Sequence, residues 1–203
     1  MLIRAKYHEI RKNIQDGDVI AFGGKGAVSN LIKLFTRSNV SHVALIMKSV
    51  LNTGERLNQI IESTLLDNYS GVVVNRLSNR LKDYDGEAWW LPLKQSIRDK
   101  AIWENAYSWL KKQKRKAYDT KQAIGSGLDL LWNNEEDFNK FFCSELISAF
   151  YEKVNILNQI NSSEVTPVDL CMFNLYEGDY YQLIGEPKEI KGYNTVPSGD
   201  WVI

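Results

Sequence analysis

The sequence contains only two cysteines, Cys143 and Cys171, in 203 residues. Two thiols cannot build the disulfide framework that stabilises small secreted domains, so we expect both to be reduced. Cys171 has Leu170 and Met172 as neighbours and is expected to be a buried structural thiol. The shortage of cysteine therefore excludes disulfide-rich folds and leaves Cys143 as the thiol to consider for chemistry.

An excess of charge of either sign is also missing, because 25 Lys and Arg residues balance 25 Asp and Glu residues. A neutral chain gives no electrostatic reason to expect nucleic acid as the main partner. One basic run covers residues 111–116. It could bind nucleic acid or acidic lipid, but cations that complement the dipole at the end of a helix explain it more simply.

No stretch approaches the roughly 18 consecutive apolar residues of a membrane-spanning helix. The first residues also lack the apolar segment of a secretory signal peptide. We therefore expect a soluble, cytoplasmic protein without a transmembrane segment, of bacterial or phage origin. The sequence does not indicate its oligomeric state.

What is present is enough apolar material for a core, with 44% hydrophobic and 25% charged residues. This predicts one domain over residues 1–203, with a tail over 185–203 that is partly irregular. Apolar patterns predict strands at 19–22, 40–47, 58–63, 72–74 and 88–93, and helices near the start, over 97–110 and over 124–131. An acidic loop is expected at 133–137. This mixture predicts an α+β fold.

Cys143 begins a helical pattern in which Leu146, Ile147 and Phe150 share its face. A cysteine in the first turn of a helix lies near the positive end of the dipole, which favours the nucleophilic thiolate. The backbone N–H groups of this turn, including that of Ser144, could also stabilise an oxyanion. Because free cysteine is among the most buried residue types, Cys143 could equally be a core residue.

A cysteine nucleophile needs a base, and the sequence offers two histidines. His8 lies in a charged leading segment, whereas His42 begins an apolar strand. Glu62, on the next strand, lies between apolar residues and could orient the imidazole by accepting the hydrogen bond of one ring N–H. The alternatives are a core histidine and a surface glutamate on an edge strand.

Other candidate sites are weaker. The loop Gly23-Gly24-Lys25-Gly26 lacks the spacing of a phosphate-binding P-loop. No closely spaced pair of metal ligands is present, so we expect no metal and no cofactor. Four tryptophans could line a dry acceptor pocket, although their spacing is more typical of a core: Trp89, Trp90, Trp103 and Trp109.

Several segments resemble, in order, the motifs of the circularly permuted branch of the NlpC-type papain-like cysteine hydrolases, the YiiX-like proteins. They are Gly17-Asp18-Val19-Ile20-Ala21-Phe22, Ser29-Asn30-Leu31-Ile32, Thr36-Arg37-Ser38, Ser41-His42-Val43-Ala44-Leu45, Tyr118-Asp119, Phe142-Cys143-Ser144-Glu145-Leu146-Ile147 and Thr166-Pro167-Val168-Asp169-Leu170. The ordered set covers roughly residues 16–170 and is more specific than any single motif. Residues 75–87 and the tail after 176 have no matching motif.

The resemblance implies a papain-like fold in which an antiparallel sheet packs against the helix that carries the cysteine. It implies Cys143 as nucleophile, His42 as base and Glu62 as its orienting group, with Tyr118 and Ser144 beside the oxyanion or substrate. The implied activity is hydrolysis of an amide or ester bond in a peptide, amide or lipid-like acyl substrate. Acyl transfer or lipid hydrolysis by the same fold, and a non-catalytic binding module, are the alternatives. The missing export signal disfavours a cell-wall substrate.

Overall fold

The structure is a computed structural model that describes residues 1–66, 69–104, 106–114, 116–118, 140–158 and 160–193. The predicted helix over 124–131, the acidic loop over 133–137 and the last ten residues of the predicted tail lie outside these ranges. Within the described ranges, no helix is long and apolar enough to cross a membrane. The prediction of a single domain over the whole chain stays a prediction.

The strands form one seven-stranded sheet in the order β1-β9-β6-β2-β3-β4-β5, with β7 and β8 as a short separate pair. Their bounds are β1 Leu2–Arg4, β2 Val19–Gly24, β3 His42–Val50, β4 Arg56–Leu66, β5 Tyr69–Arg76, β6 Gly86–Leu91, β7 Ala117–Tyr118, β8 Lys140–Phe141 and β9 Tyr180–Ile184. Neighbours in the large sheet are antiparallel except β1 and β9, which run parallel. The five strands predicted from apolar patterns all lie in this sheet.

The helices are short and lie between the strands. Their bounds are α1 Tyr7–Ile10, α2 Ala27–Phe35, α3 Leu77–Lys82, α4 Gln95–Arg98, α5 Ala106–Gln113, α6 Cys143–Lys153 and α7 Pro167–Met172, with a 3₁₀ turn at Ser162–Glu164. The predicted leading helix is wrong in part, since β1 precedes a single turn of helix. β1 is extended because it pairs with β9.

The helix predicted over 97–110 is interrupted, and this prediction is wrong in detail. Ile102 donates its backbone N–H to the carbonyl of Val154, 2.9 Å away, instead of to a carbonyl of its own helix. The indole N–H of Trp103 donates to the carbonyl of Arg98 at 3.0 Å. Tertiary contacts therefore override an amphipathic pattern that is continuous in the sequence.

The sheet buries apolar side chains on both faces, as the alternation along β3 shows. Val43 and Leu45 belong to one core cluster with Leu146 and Ile147 of α6. Ala44, Ile46 and the helix residues Leu77 and Leu81 of α3 belong to a second cluster. Because neighbouring side chains of a strand point to opposite faces, α6 covers one face and α3 the other. The predicted α+β class, with the cysteine helix packed on the sheet, is confirmed.

Asp18 directly precedes β2 and fixes the start of this strand through its side-chain contacts. Its carboxylate is buried and accepts hydrogen bonds from the indole N–H of Trp90 at 2.8 Å and the backbone N–H of Leu93 at 2.9 Å. It also pairs with the guanidinium of Arg98 at 2.6 Å. Burial is the largest influence and raises the pKa of Asp18 although Arg98 opposes it. The Gly17-Asp18 segment of the sequence is thus a structural anchor between β2 and β6.

Candidate functional site

The structure brings together the three side chains that the sequence predicts as a catalytic unit. His42 is the first residue of β3, Glu62 lies in the neighbouring strand β4 and Cys143 is the first residue of α6. Nε2 of His42 is 2.7 Å from Oε2 of Glu62. Two of the three residues therefore lie where a strand or a helix begins, which lets their side chains meet although they are far apart in the sequence.

Cys143 lies close enough to His42 for the two side chains to interact electrostatically, and this interaction raises the pKa of the imidazole. Because Nε2 of the imidazole is engaged by Glu62, Nδ1 is the ring nitrogen left for the sulfur. Cys143 is fully buried and packs with the apolar cluster of the sheet and α6. The two interpretations of Cys143 in the sequence are thus compatible, since it is both a core residue and a neighbour of the imidazole.

The imidazole of His42 is mostly buried, with 13% of its side chain exposed. Burial is the largest influence and lowers the pKa of His42. The Coulombic and hydrogen-bond interactions with Cys143, followed by those with Glu62, outweigh it and raise the pKa to about 9. These two partners therefore make the imidazole of His42 a stronger proton acceptor than a free histidine side chain.

Glu62 is completely buried, and its carboxylate has several hydrogen-bond donors around it. The side-chain amide of Asn75 in β5 donates to Oε1 at 2.9 Å, and Nε of Arg80 in α3 lies 3.1 Å from the same oxygen. Burial, the largest influence, raises the pKa of Glu62, but the interactions with His42, Arg80 and Asn75 lower it to about 2. The carboxylate is thus ionised and fixed opposite His42.

Arg80 contacts both the Glu62 carboxylate and two neighbouring aromatic rings. It contacts the Glu62 carboxylate with Nε, and its guanidinium carbon lies 5.0 Å from the ring centroids of both Phe22 and Tyr84. Phe22 also lies 5.7 Å from the imidazole of His42, measured between ring centroids.

The sequence analysis did not predict Asn75 and Arg80, because they lie in the stretch without a recognisable motif. The four-residue spacing of Leu77 and Leu81 is the signal that could have indicated a helix there.

The first turn of α6 is fixed by its own side chains. The carboxylate of Glu145 accepts a hydrogen bond from the backbone N–H of Phe142 at 3.1 Å, in the way of a helix cap. The hydroxyl of Ser144 donates to the carbonyl of Val165. Glu145 is thus a structural carboxylate, and the Ser144 hydroxyl is engaged in packing. A role of the Ser144 backbone N–H toward an oxyanion stays a prediction.

The backbone of Tyr118 lies in β7 and pairs with that of Phe141 in β8. The side chain of Tyr118 lies outside the described part of the structure, so its predicted place beside the oxyanion stays a prediction.

Cys171 is partly buried, and burial raises the pKa of its thiol, as do the nearby Cys143 and Asp169. Cys171 therefore remains a thiol, and the prediction of a buried thiol is wrong in part because the side chain keeps some exposure.

Among the described residues, no three His, Cys, Asp or Glu side chains are grouped as a metal site requires.

No protein-family model and no curated protein matches the chain. A similar solved structure is the crystal structure of the metalloprotein YiiX from Escherichia coli O157:H7, DUF1105, with 18% sequence identity and a TM-score of 0.48. The match covers 69% of this chain and 66% of that one, and the description as a metalloprotein belongs to that protein.

Proposed function

We propose that the protein is a cysteine hydrolase of the amidase or peptidase type, with Cys143 as nucleophile, His42 as acid and base, and Glu62 as the group that orients His42. The observation that carries this proposal is the imidazole of His42, whose Nε2 lies 2.7 Å from the Glu62 carboxylate and which also interacts electrostatically with Cys143. A nucleophile, a base and an orienting carboxylate in this order are the parts that covalent acyl transfer needs.

The first half of the reaction forms an acyl-enzyme. The Cys143 proton passes to His42, and the thiolate attacks the substrate carbonyl carbon to form a C–S bond. The tetrahedral intermediate collapses as the C–N bond of an amide, or the C–O bond of an ester, breaks. The imidazolium of His42 gives its proton to the leaving amine or alcohol, and a thioester remains on Cys143.

The second half consumes water. His42, now neutral, takes a proton from the water as its oxygen attacks the thioester carbonyl. The C–S bond then breaks, the acid is released and the proton returns to the sulfur. In both halves the negative carbonyl oxygen lies next to the start of α6, where backbone N–H groups and the helix dipole stabilise it.

We propose an acyl substrate of peptide, amide or lipid-like character, on the strength of the ordered motifs that resemble the permuted NlpC-type papain-like family. No cofactor takes part in this mechanism. Glu62 is ionised and fully buried, so its part is to fix the orientation and charge of the imidazole and not to exchange protons during turnover.

The proposal is tested by following acylation of Cys143 with an activated ester, p-nitrophenyl acetate, and locating the adduct by mass spectrometry. The native protein is expected to form and release an acetyl adduct on Cys143 much faster than the urea-unfolded chain does. Cys143→Ala should abolish the adduct, and His42→Ala should slow its formation by on the order of a thousandfold. Cys171→Ala is the matched control and should react as the parent does. A native Cys143 that reacts no faster than in unfolded protein contradicts the proposal.

Acyl transfer is the second candidate, and the burial of Cys143 favours it. A thioester surrounded by apolar side chains is shielded from water, which gives an alcohol or amine acceptor time to take the acyl group. Product analysis with an added long-chain alcohol separates the two, since transfer yields an ester where hydrolysis yields the free acid. If the protein is instead a non-catalytic binding module, an acyl probe should label the denatured protein and leave the native protein unlabelled.

A further inference from the structure

Away from the candidate active site, the structure contains a cavity of about 510 Å³ whose wall is strongly basic. Five cationic side chains line it, together with one carboxylate, Glu55. The cations are Arg11, Lys12, Lys48, Arg56 and Arg76. The volume lies within the range of roughly 300–1,000 Å³ that is typical of small-molecule sites. In a chain with no net charge, this local excess of positive charge needs an explanation.

The cations of this basic cavity are poorly neutralised by the protein itself. Arg11 pairs with Glu55 at 3.8 Å, and both side chains are about half exposed. Within the described part of the chain, Lys12, Lys48, Arg56 and Arg76 make no ion pair with a carboxylate. Like charges that converge on one cavity repel each other, so an anion that enters the cavity relieves this repulsion.

The fold fixes the positions of these cations. Lys48 lies opposite Asn58 in the β3–β4 pair, and Arg56 lies two residues before Asn58, so all three are on one side of the sheet. The amide of Asn58 donates to the carbonyl of Arg11 at 2.7 Å, which ties the segment after α1 to this wall. The cavity is therefore formed mainly by β3, β4, the end of β5 and the turn after α1, and the hydrogen bond from Asn58 holds that turn in place.

A second cavity, of about 240 Å³, adjoins the first. Lys48 and Arg56 line both, and the second also contains Arg98, Asp16 and the rings of Trp103 and Tyr107. The cations that the two cavities share suit an anionic group, and the two rings of the second cavity suit a flat or apolar part of the same ligand. Arginine side chains are suited to phosphate because the planar guanidinium can donate two parallel hydrogen bonds.

We propose that the basic cavity binds a ligand that carries two or more phosphate groups, and that the adjoining cavity receives its uncharged part. The phosphate groups contact Lys48, Arg56 and Arg76. A free phosphorylated molecule and a phosphorylated lipid headgroup share this chemistry. A nucleic acid duplex does not fit, since it presents a convex backbone to an extended basic surface and not to a cavity.

This site is separate from the candidate active site. Arg56 and Glu62 are six residues apart in the same strand, which corresponds to about 20 Å. Cys143 and His42 do not line either cavity. The inference therefore does not depend on the proposed hydrolase activity, and Cys143→Ala is expected to bind phosphate ligands as the parent does.

Isothermal titration calorimetry of the full chain with inorganic tripolyphosphate and with ATP tests the proposal. Both probes are expected to bind, ATP more tightly, with affinities that fall as salt is raised. The double variant Lys48→Gln/Arg56→Gln should lose at least about tenfold in affinity, as expected when charged hydrogen bonds are removed. Lys111→Gln/Lys112→Gln removes two exposed cations of α5 and is the charge-matched control, which should bind as the parent does. Thermal unfolding of each variant checks that the fold is kept.

A second arm uses phosphatidylcholine vesicles with and without a phosphoinositide. Binding to phosphoinositide vesicles alone assigns the cavity to a lipid headgroup, and binding to the free probes alone assigns it to a soluble molecule. Trp103→Ala should abolish the preference for ATP over tripolyphosphate if the ring of the ligand lies in the adjoining cavity. Equal losses in the cavity variant and the control variant, or no binding to any of the probes, would overturn the proposal.

Discussion

At the scale of single residues, Arg80 connects two kinds of partner, a buried carboxylate and two aromatic rings. It lies 3.1 Å from Glu62 and 5.0 Å from the ring centres of Phe22 and Tyr84. A carboxylate without exposure to water is costly unless hydrogen bonds and opposite charge compensate it. Arg80 is therefore a positioning residue for Glu62, which in turn orients His42.

We expect Arg80→Met to raise the pKa of Glu62, because the Coulombic influence of the guanidinium is lost. The free energy of unfolding should fall by about 2 kcal/mol, since a buried carboxylate loses a charged hydrogen bond. Lys82→Met removes an exposed cation from the same helix and should change stability by less than about 0.5 kcal/mol. Carbon-detected NMR titration of the Glu62 carboxyl and urea unfolding measure the two effects. Equal behaviour of the two variants would show that Arg80 does not support Glu62.

The candidate unit of Cys143, His42 and Glu62 could be predicted from sequence, whereas Arg80 and Asn75 could not. Reactive side chains next to apolar patterns are visible in a single chain, because few residue types can do this chemistry. The groups that hold Glu62 depend on which strands are neighbours. β5 lies beside β4 and carries Asn75, and α3 follows β5, but this arrangement is a property of the sheet and not of any local motif.

At the scale of elements, α6 determines where Cys143 lies. Its side chains Leu146, Ile147 and Phe150 are buried against the sheet, and its start is fixed by Glu145 and Ser144. A nucleophile on a well-packed helix keeps its distance to the base, whereas a one-ångström displacement is enough to slow a reaction strongly. Helix packing and reactivity of the thiol should therefore change together.

Leu146→Ala is expected to lower the free energy of unfolding by about 2–5 kcal/mol, because it removes a buried side chain and leaves a cavity. Leu34 in α2 is 71% exposed, so Leu34→Ala should cost less than about 0.5 kcal/mol. Urea unfolding gives both values, and the rate of alkylation of Cys143 by iodoacetamide reports the position of the thiol. Comparable unfolding midpoints for the two variants would contradict the packing of α6 described above.

Element boundaries were less predictable than element types. The amphipathic pattern over 97–110 predicts one helix, but the chain turns between α4 and α5, where Ile102 bonds to Val154 and Trp103 to Arg98. The leading segment likewise becomes a strand because β9 is there to pair with it. In both places a contact with a distant part of the chain decides the outcome, and such contacts leave no periodic signal in the sequence.

At the scale of the whole molecule, the linked pair of His42 and Glu62 makes stability depend on pH. The pKa of His42 is raised from 6.5 to about 9, so its contribution is complete below pH 6.5 and is lost as the pH rises through 9. The pKa of Glu62 is lowered from 4.5 to about 2, so its contribution is complete above pH 4.5 and is lost as the pH falls through 2. Both contributions are complete between pH 4.5 and pH 6.5.

We therefore expect the difference in unfolding free energy between the parent and His42→Gln to shrink, by on the order of 2 kcal/mol, between pH 6.5 and pH 9. Urea unfolding over this range measures it. In Cys143→Ala the decline should begin at lower pH, because the largest influence that raises the His42 pKa is gone. Parallel profiles for the parent and His42→Gln would show that His42 does not gain its proton affinity from the fold.

The parallel pairing of β1 with β9 has a consequence for the order of events during synthesis. Leu2–Arg4 leave the ribosome before every other described strand, but their partner Tyr180–Gln182 is made last among the described strands. At roughly 5–20 residues per second, the first strand waits on the order of ten seconds or more for its neighbour. The central strands β2 to β6 can pair during this interval, and this edge of the sheet is completed only after β9 has been translated. A nascent chain released before residue 180 would leave both β1 and β6 with an unpaired edge.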